Sequence, residues 1–453
     1  MKIRLSSPLS LREIARATGG LLNSKDTVVE YILTDSREAT AGELFIAIKG
    51  DCFDGEDFVS ELKKRGVYSL STQSDEASIA VSSTTDALLL LAKYYKNEKL
   101  KSIKHSVAIT GSVGKTTAKD VTVHLLSESY KVHATEGNKN NTIGAPLTIL
   151  SAPSDTEILI LELGMNSQGE IYRMTKVLNP DIAVITNVGH AHIGKLGTRE
   201  LIAKAKLEVC ESESDKLVTL IPYGEPLLES ARGRLTVSLD NRNSDIFLFP
   251  LLKREDYSIF DLYFKDCVLT AERIEIGGRH VLSALAYAIG IARLCGMSTK
   301  EISNGIKSLS PEILRQRFIT VGKFKIYDDT YSSSPEAVNA IISYLSLMHG
   351  VEKSAMLGDM LELGAATERL HRKIGADIYR NGFSKLYAYG VYAPFTAAGA
   401  MSAGMKSENI FINTDVLSPE ITANQIKDSY NGELIMFKAS HALNASKIYD
   451  FLK

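Results

Sequence analysis

The segment Thr110-Gly111-Ser112-Val113-Gly114-Lys115-Thr116-Thr117 constrains this chain more than any other. It follows the apolar run Val107-Ala108-Ile109 and precedes a helical pattern reaching about Ser129. Glycines between a strand and a helix let the backbone turn tightly, so successive N–H groups surround phosphate oxygens at the helix N-terminus. In that geometry Lys115 neutralises the outer phosphates and the Thr116 hydroxyl ligates Mg²⁺. Gly111, Ser112, Gly114 and Thr117 complete the cradle. The full GxxxxGK[ST] pattern is not met, because Ile109 occupies the first glycine position.

A phosphate loop does not name a reaction, since kinases, hydrolases and ATP-driven ligases all need one. The surrounding pattern narrows the fold. Ile158-Leu159-Ile160-Leu161 and Ile182-Ala183-Val184-Ile185 read as strands separated by helical segments, which means a parallel sheet with crossover helices. Upstream, Tyr31–Thr34 and Leu44–Ile48 read as strands and Thr85–Tyr95 as a helix, with a boundary expected in the polar stretch 96–101. Residues 233–280 read as a β-rich appendage. Beyond a switch near 308–317, strand patterns recur at Phe324–Tyr327, Ala355–Leu357, Lys385–Ala388, Ile410–Ile412 and Leu434–Phe437. The expectation is an α/β chain of three domains in series: 1–100, a central P-loop parallel-sheet domain 101–315, and a Rossmann-like domain 316–453. The length of 453 residues agrees, at roughly 150 residues per domain.

Charge and composition exclude several classes. The 52 basic and 54 acidic residues leave a net charge of −2, so nothing points to nucleic acid. No apolar run reaches the roughly 18 residues that a membrane helix needs, and Met1–Ser6 is too poor in apolar residues for a signal-peptide core. Cys52, Cys210, Cys267 and Cys295 lie far apart without a CxxC pair, which argues against a disulfide framework or a zinc site. A cytoplasmic, multidomain protein is expected.

Two further segments carry candidate chemistry. Glu162 ends an apolar run and so sits at the strand edge beside the phosphate loop, where an acid holding Mg²⁺ would lie. The next strand ends in Thr186-Asn187-Val188-Gly189-His190-Ala191-His192, again at that edge. By contrast, Ile202-Ala203-Lys204-Ala205-Lys206-Leu207 reads as a helix with a solvated lysine face.

Several segments, in order along nearly the whole chain, together resemble the Mur ligase family. They are Thr34-Asp35-Ser36-Arg37, Gly42–Gly50, Phe53-Asp54-Gly55-Glu56-Asp57-Phe58, the phosphate loop, Gly137-Asn138-Lys139-Asn140-Asn141 and Glu162-Leu163-Gly164-Met165-Asn166. The last third contributes Asp328-Asp329-Thr330-Tyr331, Leu357-Gly358-Asp359-Met360-Leu361-Glu362-Leu363-Gly364 and His371. The resemblance implies an ATP-dependent peptide ligase of peptidoglycan precursor synthesis, acting as a monomer on small molecules. The UDP end of the muramoyl peptide would lie near Ser36, Arg37, Lys49 and Asp54, with Asn138 and Asn141 also on substrate. ATP would contact His280, Arg317 and Asp329 besides the phosphate loop. Two Mg²⁺ ions would be held by Thr116, Glu162, His192 and Lys206, the last as a CO₂ carbamate. That role reverses the solvated reading of Lys206. Lys115, Glu162, His192 and Lys206 form the implied catalytic set.

The chain departs from the family pattern in places. Glu56 stands where a histidine is common, Val281 where an asparagine follows His280, and Gln316 where a glycine precedes Arg317. Tyr331-Ser332-Ser333-Ser334-Pro335 and Lys438-Ala439-Ser440-His441 replace Tyr-Asn-Ala-Asn-Pro and Lys-Gly-Ser-Arg. Three readings therefore stand side by side. One is a ligase adding D-alanyl-D-alanine to a UDP-N-acetylmuramoyl-tripeptide. Another is a related ligase joining a different amine in another pathway. The third is a nucleotide-binding homologue without turnover.

Overall fold

The computed structural model describes the chain except residues 51–52, 255–256, 276, 311–316 and 331, with Arg317 described through its backbone. Cys52, Gln316, Tyr331 and the expected boundary at 315 fall outside the described residues or at their edge.

Three sheets follow one another along the chain. The first has six strands in the spatial order Lys2–Ser10, Val28–Leu33, Leu44–Ile46, Tyr68–Ser71, Ser78–Ala80, Leu21–Leu22. Its inner strands run parallel, so the loops after Leu33 and Ile46 leave from one edge. The second sheet has nine strands. Its centre is the order Val218–Pro222, Ile182–Ile185, His105–Thr110, Ile158–Glu162, all parallel. Ile158–Glu162 is buried throughout, which is why that run lacks polar alternation: parallel strands are covered on both faces. The third sheet places Phe324–Asp329, Leu434–Lys438, Lys353–Gly358, Phe383–Tyr389 and Ile410–Asn413 side by side in parallel.

Three local expectations change. The helix expected over 85–95 spans Thr84–Lys99, so most of the polar stretch 96–101 is its last turn. Its apolar residues supply the packing that carries the helix past its polar end. Residues 233–280 are no separate appendage. Arg234–Ser238 and Ile246–Lys253 continue the central sheet in parallel, and Ser258–Phe264 and Cys267–Ile274 extend it antiparallel. The third sheet also has an antiparallel edge strand, Arg317–Val321, which begins where the segment read as a switch ends.

The first two units share a core. Leu88, Leu91 and Tyr95 of the helix Thr84–Lys99 belong to the same buried cluster as Leu147, Ile149, Leu161 and Met174 of the central unit. The third unit buries its own two clusters, and Ile193 bridges from the first cluster to one of them. Much of the third unit's contact with the central one is polar, at the strand ends.

Candidate functional site

The phosphate loop is latched from the neighbouring strand end. Gly111 has φ +147°, and a Cβ there would lie 1.9 Å from Thr186 Oγ1. Gly114, at φ +80°, starts the helix Lys115–Ser127. Asn187 Oδ1 accepts the backbone N–H groups of Ser112 and Val113, each at 3.0 Å. Thr186 Oγ1 donates to the Val113 carbonyl at 2.6 Å, and the Gly189 N–H reaches Ser112 Oγ at 2.9 Å. These bonds tie the loop to the neighbouring strand end. Asn187 lay in the segment noted at the strand end, but its contact partners are about 75 residues away, which no local pattern reveals.

Glu162 stands opposite Ile109 in the sheet register, one residue from the loop's start. It is 2% exposed. Its two carboxylate oxygens accept from Thr116 Oγ1 and Asn140 Nδ2, both at 2.8 Å. Its own N–H donates to Thr135 Oγ1 at 3.0 Å, and the buried Lys119 donates to the Thr135 carbonyl at 2.7 Å. Asn140, which is not among the candidate residues, is the asparagine that reaches this carboxylate. Asn141 Oδ1 instead accepts from Ile143 and Gly144 N–H, at the start of Gly144–Leu150, and Asn138 lies in the same loop.

Lys115 faces this acid, and Lys206 and His192 lie within electrostatic reach of Lys115. The Lys115 ammonium folds back onto the Gly111 carbonyl at 2.8 Å. Burial lowers its pKa and Glu162 opposes the shift. Lys206 is 1% exposed, so the solvated face expected for it does not exist. In the helix Arg199–Leu207 the buried residues are Ile202, Ala203, Ala205 and Lys206, while Lys204 points to solvent. Lys206 falls four residues after Ile202, on the apolar stripe, and that spacing is the signal that could have found it. Burial, with Lys115 nearby, pushes the Lys206 pKa well down and favours the neutral amine. His192, at φ +66°, also has its pKa lowered by burial, with Glu362 opposing and Lys115 and Lys206 reinforcing. Its Nδ1 lies 2.5 Å from Glu362 Oε2. Thr116, Lys115, Glu162, His192 and Lys206 thus form one electrostatically coupled group.

Toward the third unit, burial pushes the His280 pKa down to about 4, against the pull of Asp329. His280 packs edge-on against Tyr344, with ring centroids 5.9 Å apart. Asp329 ends the strand Phe324–Asp329 and pairs with the buried Lys438 at 3.0 Å. Arg317 pairs with Asp328 in the strand register, through backbone alone. Val281, standing where asparagine was expected, is fully buried in the core. Ser334 caps the helix Pro335–Leu345, a role asparagine would share. His371 is also a core group: its Nε2 accepts the Met360 N–H at 3.1 Å.

Ser36, Arg37, Lys49 and Asp54 lie away from this group, in the first unit. Ser36 and Arg37 follow Val28–Leu33, and Lys49 follows Leu44–Ile46, at one sheet edge. Arg37 is exposed and forks onto Asp35 at 2.8 and 2.6 Å, holding that carboxyl well below its usual range. Lys49 pairs with Asp54 at 3.3 Å. Glu56 accepts from Ser71 Oγ at 2.5 Å and from the Thr72 N–H at 2.7 Å, tying its turn to the next strand end.

Among the described residues no three His, Cys, Asp or Glu side chains gather as a ready metal cage. Glu162 and His192 supply two donors of suitable chemistry. A neutral amine at Lys206 is the form that adds CO₂, and the resulting carbamate would be the third, anionic donor. The residues fit a divalent cation on that condition. Among the described residues no helix is long and apolar enough to cross a membrane.

The chain is similar to proteins of known family and structure over nearly its whole length. Residues 28–103 match the Mur ligase family catalytic domain, 109–292 the Mur ligase middle domain, and 315–441 the Mur ligase glutamate ligase domain. The chain is 34% identical to the UDP-N-acetylmuramoyl-tripeptide–D-alanyl-D-alanine ligase of Bacillus subtilis, over 97% of each chain. A crystal structure of MurF from Acinetobacter baumannii superposes with a TM-score of 0.87 at 25% identity, over 99% of both chains. MurF of Thermotoga maritima in complex with ADP gives a TM-score of 0.80 at 28% identity, over 93% of this chain and 96% of that one.

Proposed function

We propose that this chain, which belongs to the Mur ligase family, joins D-alanyl-D-alanine to a UDP-N-acetylmuramoyl-tripeptide at the expense of ATP. One observation carries the reading: a buried carboxylate, Glu162, bonded to the phosphate-loop hydroxyl of Thr116 and faced by Lys115, which in turn couples to Lys206 and His192. That layout suits anionic reactants. The relative from Bacillus subtilis, similar over nearly its whole length, supports the choice of substrates.

The reaction runs in two steps. A substrate carboxylate oxygen attacks the γ-phosphorus of ATP, the bond to the β-phosphate oxygen breaks, and ADP leaves an acyl phosphate behind. The amine nitrogen then attacks the acyl carbon, inorganic phosphate leaves, and the nitrogen loses its proton to give the amide. Two anions meet in the first step, so positive charge must offset their repulsion. Lys115 supplies part of it, from a half-buried position where water screens it less. Two Mg²⁺ ions, which Thr116, Glu162, His192 and carbamylated Lys206 would hold, would supply the rest by offsetting the charge of the reacting anions. The amides of Gly114 to Thr117, with Gly111 and Ser112, cradle the phosphates. His280, Arg317 and Asp329 take the nucleoside end. Ser36, Arg37, Lys49, Asp54, Asn138 and Asn141 take the UDP-linked peptide.

In this reading residues 1–100 bind the UDP end, 101–315 bind ATP, and 316–453 receive the amine. Docking of the third domain excludes water, which would otherwise hydrolyse the acyl phosphate. The proposed setting is the cytoplasm, where ATP and nucleotide-linked precursors are available, with one chain supplying every catalytic group. The test is phosphate release from ATP with UDP-muramoyl-tripeptide, with and without D-alanyl-D-alanine, then with other amines. Release that requires D-alanyl-D-alanine is expected. Release with another amine only would refute the acceptor, and no release under any pairing would refute the ligase.

A further inference from the structure

The motif Leu357–Gly364 has no role in the mechanism above, yet it meets the central domain at the metal side. The Glu362 carboxylate lies 2.5 Å from His192 Nδ1 and 2.5 Å from Lys195 Nζ. The Gly194 N–H donates to the Glu362 carbonyl at 2.7 Å. Both His192 and Glu362 adopt left-handed backbone, at φ +66° and +61°. Non-glycine residues rarely do so, and these two are hydrogen-bonded to one another across a domain boundary. The backbones beneath them touch: a Cβ on Gly194 would sit 2.6 Å from Gly364 N and 2.7 Å from Glu362 O. A second contact runs beside it, where Glu336 Oε1 accepts the His190 N–H at 2.9 Å and lies 2.6 Å from His190 Nδ1.

We infer that Glu362 is a positioning residue for His192, so that docking of the third domain completes the metal side of the central one. A ring nitrogen that donates to a carboxylate fixes both the tautomer and the ring orientation, leaving the other nitrogen as a lone-pair donor. Here Nδ1 is engaged by Glu362, and Nε2 makes no hydrogen bond among the described residues. The carboxylate comes from the third unit, not from the unit that carries His192. While the third domain is away, His192 has neither fixed tautomer nor fixed orientation. Metal affinity and domain docking are thereby one linked equilibrium, and each strengthens the other by the same factor.

This inference rests on the reading of His192 as a metal ligand, and Mn²⁺ separates the two. Protein-bound Mn²⁺ is titrated in bicarbonate buffer by electron paramagnetic resonance, with the interdomain distance followed by small-angle scattering. Glu362→Ala should weaken Mn²⁺ binding about 10- to 100-fold, the range for removal of such a partner. Glu362→Gln keeps an acceptor oxygen and should retain affinity to within about tenfold of wild type. Gly194→Ala leaves both side chains in place, yet should lower affinity and expand the particle together. Wild-type protein whose Mn²⁺ binding is indifferent to Glu162→Gln would sink the metal-site reading itself. Wild-type binding with an unaltered Glu362→Ala variant would overturn the positioning role alone, as would equal losses in the Ala and Gln variants. Expansion in Gly194→Ala without loss of affinity would likewise overturn it.

Discussion

Replacing Glu162 by glutamine separates what this carboxylate does for the fold from what it does for catalysis. Its oxygens accept one hydrogen bond each from Thr116 and Asn140. In the variant the amide oxygen can keep the Asn140 N–H, and the NH₂ group can face a Thr116 hydroxyl that turns to accept. Both contacts persist as neutral bonds. Hydrogen bonds to a charged group contribute about 1.5–3 kcal/mol and neutral ones about 0.5–1.5, so the two together lose about 2 kcal/mol. Removing a charge that is 2% exposed returns some of this, because its desolvation penalty vanishes. The net destabilisation is about 0–2 kcal/mol, a melting shift below about 8 °C for domains of this size. Turnover should respond far more. On the proposed role of Glu162 as an anionic metal ligand, its loss should lower kcat at least about 100-fold, or about 2.7 kcal/mol of transition-state stabilisation. Thermal melting and Mg²⁺-dependent phosphate release are measured on the same preparation. Wild-type turnover in the variant would refute the assignment; a collapse in melting temperature beyond about 10 °C would show the carboxylate to be chiefly structural.

Lys206→Ala should nearly abolish turnover, with partial rescue by a small added carboxylate, and near-normal activity without one would remove the carbamate from the mechanism. Gly111→Ala puts a Cβ 1.9 Å from Thr186 Oγ1 on a backbone at φ +147°, so ATP affinity should fall at least about tenfold by calorimetry. Unchanged affinity would mean the loop adapts freely. Asp359 is buried, and its pKa is pushed up to about 6 from an ordinary 3.8. Between those values the folded chain binds more protons than the unfolded one. Its stabilising contribution is therefore full at low pH and is lost as pH rises through about 6, up to about 3 kcal/mol. His280, lowered to about 4 from 6.5, acts in the opposite sense by destabilising the fold as pH falls through that window. The two offset one another in the wild type. Asp359→Asn should raise the melting temperature at pH 7.5 and expose the acid loss due to His280; an equal shift at pH 5 and 7.5 would contradict this.

The parts of the site that were legible in the sequence are those made by neighbours along the chain. Gly111 to Thr117 form one turn and the first residues of one helix, and Glu162 ends its own apolar run, so both were placed at the functional edge before any tertiary contact was known. The parallel sheets were legible for the same reason, since strands buried on both faces read as unbroken apolar runs. For Lys206 the alternation of Lys and Ala points to a solvated face, and only the family resemblance reverses it, although its spacing from Ile202 already places it on the apolar stripe. The 96–101 stretch misled because exposed charges end a helix as readily as they fill a linker. Residues 233–280 looked detached because short strands do not say which sheet they join.

By itself, the sequence determined a phosphate-binding strand–loop–helix, an α/β class and the order of three units. These depend on periodicity and backbone conformation over a few residues, where the covalent chain leaves little freedom. Only the tertiary structure decided that Asn187 holds the loop, that Asn140 meets Glu162, and that Lys206 is buried beside Lys115. It alone brought Glu336 and Glu362 to His190 and His192, across 146 and 170 residues of chain. Such contacts are set by how sheets stack and where loops cross. At that separation, covalent connectivity imposes almost nothing on which side chains meet.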